Sequence, residues 1–138
     1  MTGTYVHSLD AKGRLFIPVR LREELGERFY VTVSNEACLN GYSEERWEEF
    51  RAAVRALGRP GVKQGRTAFA NAACCELDSQ GRVIIPRELR DKVGLKKSVT
   101  IIGNNDIAEF WDSDRWNEEL EREEADEDIK ALFESGLI

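Results

Sequence analysis

Leu9 to Gly26 reads LDAKGRLFIPVRLREELG, and Leu77 to Gly94 reads LDSQGRVIIPRELRDKVG. The second stretch begins 68 residues after the first. Nine of the eighteen aligned positions are identical: Leu, Asp, Gly, Arg, Ile, Pro, Leu, Arg and Gly. Three more pairs exchange one apolar residue for another: Leu15 with Val83, Phe16 with Ile84, Leu25 with Val93. One chain thus carries two copies of one supersecondary unit.

Outside this core, Val31-Thr32-Val33 answers Val99-Thr100-Ile101, and Tyr42 and Trp47 answer Trp111 and Trp116. The repeats are expected over residues 1–57 and 68–120, with a linker at 58–67 and an acidic tail at 121–138. A solenoid needs about three or more repeats. Two copies fit a closed pseudo-twofold single domain, the units closing against each other into one small barrel.

Each copy reads alike. Tyr5–Leu9 alternates as a short strand, and Asp10-Ala11-Lys12-Gly13 has the chemistry of a tight hairpin turn. The Asp carboxylate caps nearby amides, and Gly supplies a left-handed conformation free of a Cβ clash. Arg14–Ile17 is the return strand. Pro18 stops it and presets φ for a short helix over Val19–Leu25, which Gly26 ends. Strands follow at Phe29–Val33 and Cys38–Tyr42. Ser43 then caps a longer helix whose stripe is Trp47, Phe50, Val54 and Leu57.

Gly58-Arg59-Pro60-Gly61 has the composition of a connection. In copy two, Ala68–Leu77 reads as a strand, Asp78-Ser79-Gln80-Gly81 as the hairpin turn and Arg82–Ile85 as the return. Pro86 opens the short helix, strands follow at Ser98–Ile102 and Ile107–Trp111, and Asp112 or Ser113 caps the last helix. An acid-rich run, Glu121–Asp128, precedes an apolar stripe of Ile129, Leu132 and Phe133.

The 138 residues are 41% apolar, enough for one folded domain with a core. No run reaches the roughly 18 apolar residues of a membrane span. MTGTYVHSLDAK contains no apolar signal core, so a cytoplasmic location is expected. Cys38, Cys74 and Cys75 form no CxxC pair, and their odd number argues against a disulfide framework.

The formal net charge of −6 conceals an asymmetry. Residues 1–111 hold 17 Lys/Arg against 15 Asp/Glu, a net of +2. Residues 112–138 hold 3 against 11, a net of −8. The repeated body is mildly basic and the acidity belongs to the C-terminal segment.

Catalysis has little to stand on. His7 is the sole histidine, no metal-ligand spacing occurs, and no glycine-rich phosphate loop is present. Neither a metal, a cofactor nor a small-molecule substrate is expected. The arginines are better placed. Lys12, Arg14, Arg20 and Arg22 cluster in copy one; Arg82, Arg87, Arg90 and Lys92 cluster in copy two. Arg directly follows the turn Gly in both, where backbone lies close to a partner, and Arg reads guanine edges and phosphates bidentately. The competing reading is ordinary solvated charge, with Asp10–Arg14 and Asp78–Arg82 pairing across their own loops. Asp10, Gly13, Asp78 and Gly81 shape those loops under either reading.

Met1, Gly3, Tyr5, His7, Leu9-Asp10, Lys12-Gly13-Arg14, Ile17-Pro18 and Arg22 together resemble the first signature of the MraZ family of bacterial transcriptional regulators. Leu77-Asp78, Gln80-Gly81-Arg82, Ile84-Ile85-Pro86 and Leu89-Arg90 resemble its second. Ile102-Gly103 and Glu109-Phe110-Trp111-Asp112 resemble its closing strands, and the likeness spans about residues 1–120.

The resemblance implies a β-rich α+β fold in which two pseudo-symmetric repeats form one AbrB-like swapped-hairpin β-barrel with short helices. It implies sequence-specific binding of double-stranded DNA at the promoter of the division and cell-wall gene cluster, often as a repressor. It also implies ring-shaped homo-oligomers and a nucleoid-associated place in the cytoplasm. The family's D-x-x-x-R motif falls on Asp10 and Arg14 and on Asp78 and Arg82. Its helix arginine falls on Arg22 and Arg90. Arg14 and Arg82 are then the candidates for groove or phosphate contact, with Lys12, Arg20, Arg22, Arg87 and Arg90 supplying electrostatics. The copies depart from each other where Lys12 becomes Gln80 and Arg20 becomes Glu88, which makes copy one the stronger candidate. The alternative from another class is an AbrB-fold protein-interaction module, such as an antitoxin or ring scaffold, for which the acidic tail speaks.

Overall fold

Alternating apolar residues in the duplicated units form the strands, and the 3.6-periodic stretches form the helices. The computed structural model describes residues 1–136. Copy one gives β1 (Thr4–Ser8), β2 (Arg14–Phe16), α1 (Val19–Leu25), β3 (Arg28–Val33), β4 (Cys38–Ser43) and α2 (Glu44–Ala56). Next comes α3 (Arg59–Ala70). Copy two gives β5 (Ala73–Glu76), β6 (Arg82–Ile84), α4 (Arg87–Val93), β7 (Ser98–Asn104), β8 (Ile107–Asp112) and α5 (Ser113–Glu124). The chain continues into α6 (Glu127–Glu134). None of the helices among the described residues is long and apolar enough to cross a membrane.

The strands form a six-stranded antiparallel sheet, β1-β7-β8-β4-β3-β5, and a separate two-stranded ladder, β2-β6. This order alternates between copies. β1 of copy one pairs with β7 of copy two, while β5 of copy two pairs with β3 of copy one. In the ladder, Leu15 faces Val83. Each unit's first two strands therefore build on the other unit.

Two expectations are corrected here. The turns at Asp10–Gly13 and Asp78–Gly81 form, but the strands around each are not ladder partners: one enters the large sheet and the other the small ladder. Nor does a closed barrel form. β1 and β5 remain the two edges of an open sheet. The reason lies in what covers the core. Phe29, Val31, Leu39, Val99, Ile101 and Phe110 on the sheet face are fully buried against Leu15 and Val83 of the ladder, Leu21 and Leu25 of α1, and Leu89 and Val93 of α4. Two short helices and a short ribbon close this side, so the sheet has no apolar face left to bury by curling. Each such side chain contributes about 1.5–3 kcal/mol by leaving water.

The opposite sheet face is covered by α2 and α5 through aromatic contacts. Trp47 stacks on Tyr30 at 4.9 Å, and Trp116 lies 5.4 Å from Trp111. The Ser43 side chain accepts from the Arg46 backbone N–H and caps α2 as expected.

A third correction concerns the strand expected over 68–77, which begins only at Ala73. Residues 58–67, expected as a linker, lie within or beside α3. Pro60 sits in the first turn of α3, where its missing N–H costs nothing. Gly61 and Gly65 serve packing here rather than chain reversal. A Cβ on Gly61 would stand 2.2 Å from the Val54 carbonyl oxygen of α2. The acidic tail is helical too: Asp126 accepts from the N–H groups of Asp128 and Ile129 and starts α6. The last two residues of the expected 121–138 tail lie outside the described residues.

Candidate nucleic-acid interface

The two Asp–Gly–Arg turns share one hydrogen-bond pattern. Asp10 Oδ1 accepts from the N–H groups of Lys12 and Arg14, both at 2.9 Å, and Oδ2 accepts from Arg14 Nε at 2.5 Å. In copy two, Asp78 Oδ1 accepts from Gln80 and Arg82 at 2.9 Å, and Oδ2 accepts from Arg82 Nε at 2.9 Å. These bonds favour the charged carboxylate. Both acids are held below their ordinary range, with the Arg14 and Arg82 backbone N–H groups as the leading causes. Gly13 and Gly81 take φ of 78° and 75°, which an L side chain rarely adopts.

The pairing of Asp with Arg across its own loop is therefore real. It fixes Nε of each arginine on its own turn aspartate. Arg14 and Arg82 side chains are 30% and 26% exposed.

The turns are braced from the other copy. Ile17 donates its N–H to the Gly81 carbonyl at 2.9 Å, and Ile85 donates to the Gly13 carbonyl at 3.0 Å. A Cβ on Gly81 would lie 2.3 Å from Arg22 Nη1, and one on Gly13 would lie 3.0 Å from Arg90 Nη2. Arg22 also covers the Phe16 ring at 5.1 Å, with its Nε buried and without a hydrogen-bond partner among the described residues. Arg90 Nε donates to the Ile85 carbonyl at 2.9 Å. Both helix arginines are half-buried, as Arg14 and Arg82 are, and pack on the turn of the opposite copy.

The ladder sets direction. Strand side chains alternate, and cross-strand partners share a face. Leu15 and Val83 are buried, so Arg14 and Phe16, with their partners Ile84 and Arg82, point outward. Ideal strand geometry sets the Arg14 and Arg82 Cα atoms roughly 8 Å apart. Ile84 is 59% exposed, and His7 lies edge-on to Phe16 at 5.0 Å. Neither Phe16 nor Ile84 stood out as a site candidate in the sequence. The period-two pattern of the duplicated return strand was the signal that marks them.

Antiparallel pairing also regroups the charges. Turn one lies beside the start of α4, and turn two beside the start of α1. Lys12 and Arg20 are exposed, as is Arg87, whose Nε stands 3.8 Å from Asp91. The sequence clusters the cations copy by copy; the fold sets the turn of each copy beside the helix of the other.

The cysteines are all free. Cys38 and Cys75 are buried, and burial pushes both thiols up to about 12, which makes them poor nucleophiles.

The family described as "MraZ protein, putative antitoxin-like" matches residues 1–59 and 68–135 of this chain. The chain belongs to the MraZ family. It is 43% identical over 120 residues to the transcriptional regulator MraZ of Carboxydothermus hydrogenoformans, covering 83% of this chain and 82% of that protein. The same-named protein of Lachnoclostridium phytofermentans is 40% identical over 139 residues, covering 98% and 96%. That of Acetivibrio thermocellus is 44% identical over 119 residues, covering 83% and 82%. These MraZ relatives are regulators of transcription by name, and the family is not one of enzymes.

Proposed function

We propose that this MraZ-family transcriptional regulator binds double-stranded DNA with the outward face of the β2–β6 ribbon. The observation that carries the reading is the pair of arginines on that face, each with Nε fixed by its own turn aspartate. A two-stranded ribbon fits the major groove, about 12 Å wide, and a preorganised guanidinium loses little entropy on contact. Arg14 and Arg82 reach base edges or phosphates. Lys12, Arg20 and Arg87 supply backbone attraction. Arg22 and Arg90 act through the glycine turns they support.

The exchange of strands between copies supports an AbrB-type swapped-hairpin arrangement of the two repeats. Family membership supports a target at the promoter of the division and cell-wall gene cluster, repression there, and a place at the nucleoid. A single ribbon with two arginines binds weakly, so a homo-oligomeric ring that presents several ribbons raises the effective concentration. The acidic C-terminal segment favours a second role in protein interaction, shared with the antitoxin-like description of the family.

The test is binding of the protein's own upstream DNA by wild type and Arg14→Ala at several salt concentrations. A lower affinity with a shallower salt slope is expected. Unchanged affinity and slope would remove the ribbon from the interface.

A further inference from the structure

Helices α2 and α3 and strand β3 border an open groove of about 940 Å³, floored by Tyr30, Trp47, Val54 and Phe69. Val62, which lines it, is 70% exposed. Arg51, Arg55 and Arg66 line it as well. Residues 50–75 contain five cations, Arg51, Arg55, Arg59, Lys63 and Arg66, and no Asp or Glu. This is the longest stretch of the chain without an acid.

Helix α6 is its complement. Ile129, Leu132 and Phe133 fall at i, i+3 and i+4, the anchor spacing of a helix that lies in a groove. Leu132 is 43% exposed and Phe133 61%. Around them, residues 121–138 carry seven acids against two cations. Within one chain the two surfaces stay apart. α6 follows α5 after two residues, and α5 packs on β7 and β8, whereas the groove belongs to α2, α3 and β3.

We propose that α6 of one chain docks in the α2–α3 groove of a second copy, with Leu132 and Phe133 on Trp47 and Phe69 and with its acids against Arg51, Arg55 and Arg66. Such a contact joins two different patches. Heterologous contacts of this kind propagate head to tail and generate rings when the rotation closes. The inference rests on the self-association reading above and gives it an interface; it leaves the DNA ribbon uncovered.

Mass photometry of the full chain over a range of concentration and salt tests it. Wild type assembles, and higher salt weakens the assembly. Phe133→Asp and Val62→Asp, both at exposed positions, each raise the concentration for half-assembly by at least about tenfold. Arg55→Glu with Arg66→Glu does the same, and adding Glu127→Lys with Asp128→Lys restores assembly. A photo-crosslinking residue in place of Leu132, in mixed ¹⁴N and ¹⁵N chains, yields mixed-isotope links to the α2–α3 peptides. A wild type monomeric throughout overturns both this inference and the self-association reading. Assembly that survives Phe133→Asp and Val62→Asp overturns this interface alone. Links confined to single chains overturn docking between copies. Loss of DNA binding with intact assembly in the arginine variant overturns it in favour of a nucleic-acid surface.

Discussion

The two copies build the same turn and brace it differently. Position 16 of copy one is Phe, and its counterpart in copy two is Ile84. The Phe16 ring gives Arg22 a flat partner at 5.1 Å, and the guanidinium lies on Gly81 without a bond from Nε. Ile84 offers no such platform, and Arg90 instead bonds the Ile85 carbonyl beside Gly13. Arg14 Nε lies 2.5 Å from its aspartate and Arg82 Nε 2.9 Å. Duplication thus kept the residues that make the turn and relaxed those that hold it from outside. Charge diverged most: Lys12 and Arg20 face Gln80 and Glu88 in the aligned sequence.

The largest effect should come from the ladder's inward pair. Leu15→Ala is expected to cost roughly 3 kcal/mol and Val83→Ala about 2, since fewer methyl groups are lost at the second site. Urea titrations give both values. Equal losses would show that the copies contribute alike to the core despite their different side chains.

Arg14→Ala and Arg82→Ala should weaken DNA binding by about 1–3 kcal/mol each, with Arg14 the more costly. The asymmetry can be sharpened by Gln80→Lys, which gives copy two the cation of copy one. That change should tighten binding across DNA sequences and steepen the salt slope by about one phosphate contact. A Gln80→Lys protein with an unaltered slope would mean that turn two does not approach the backbone.

Next come the glycines. Alanine at either turn must adopt a positive φ, at an expected cost of about 1–2 kcal/mol. Gly81→Ala should be the worse of the two, because its Cβ would sit 2.3 Å from Arg22 Nη1, against 3.0 Å from Arg90 Nη2 for Gly13→Ala. Thermal unfolding of the pair ranks them. Adding Arg22→Ala in the Gly81→Ala background should recover part of the loss if the clash is its source.

Local chemistry made much of this legible in sequence. Asp10, Gly13 and Pro18 announce turn and helix start through their own backbone preferences, and they act as read. Pairing between elements was harder to see. A D-x-x-G turn between short strands suggests a hairpin, and nothing in the local pattern says that its two arms leave for different sheets. That choice is made by the buried partners Leu15 and Val83, which are 68 residues apart. Helix α3 was hidden for a related reason: Gly61 and Gly65 break a helix on propensity, yet here they admit close packing on Val54. In the candidate site the arginines were visible as charge. Their division into Arg14 and Arg82, held by their own turn aspartates, and Arg22 and Arg90, packed on the opposite turn, depends on contacts across the copies.

The smallest expected effect is a difference in acid tolerance. Both turn carboxyls sit below the ordinary 3.8, chiefly through the Arg14 and Arg82 backbone N–H groups. A depressed folded-state value means that the stabilising contribution is complete above the unfolded value and fades as pH falls through the folded one. The turns should therefore be intact at neutral pH and loosen only below about pH 4. Arg14 makes the shorter side-chain bond, so turn one should persist to lower pH than turn two. The Gly13 and Gly81 amides, which donate to Asp10 and Asp78 carbonyls at 3.0 and 3.1 Å, report each turn separately in ¹H–¹⁵N spectra. Asp10→Asn should abolish the acid transition at Gly13 and leave that at Gly81 in place. Were both amides to shift at one pH in wild type, the bonds from Ile17 to Gly81 and from Ile85 to Gly13 would be coupling the turns into a single unit, and the copies would differ in support but not in stability.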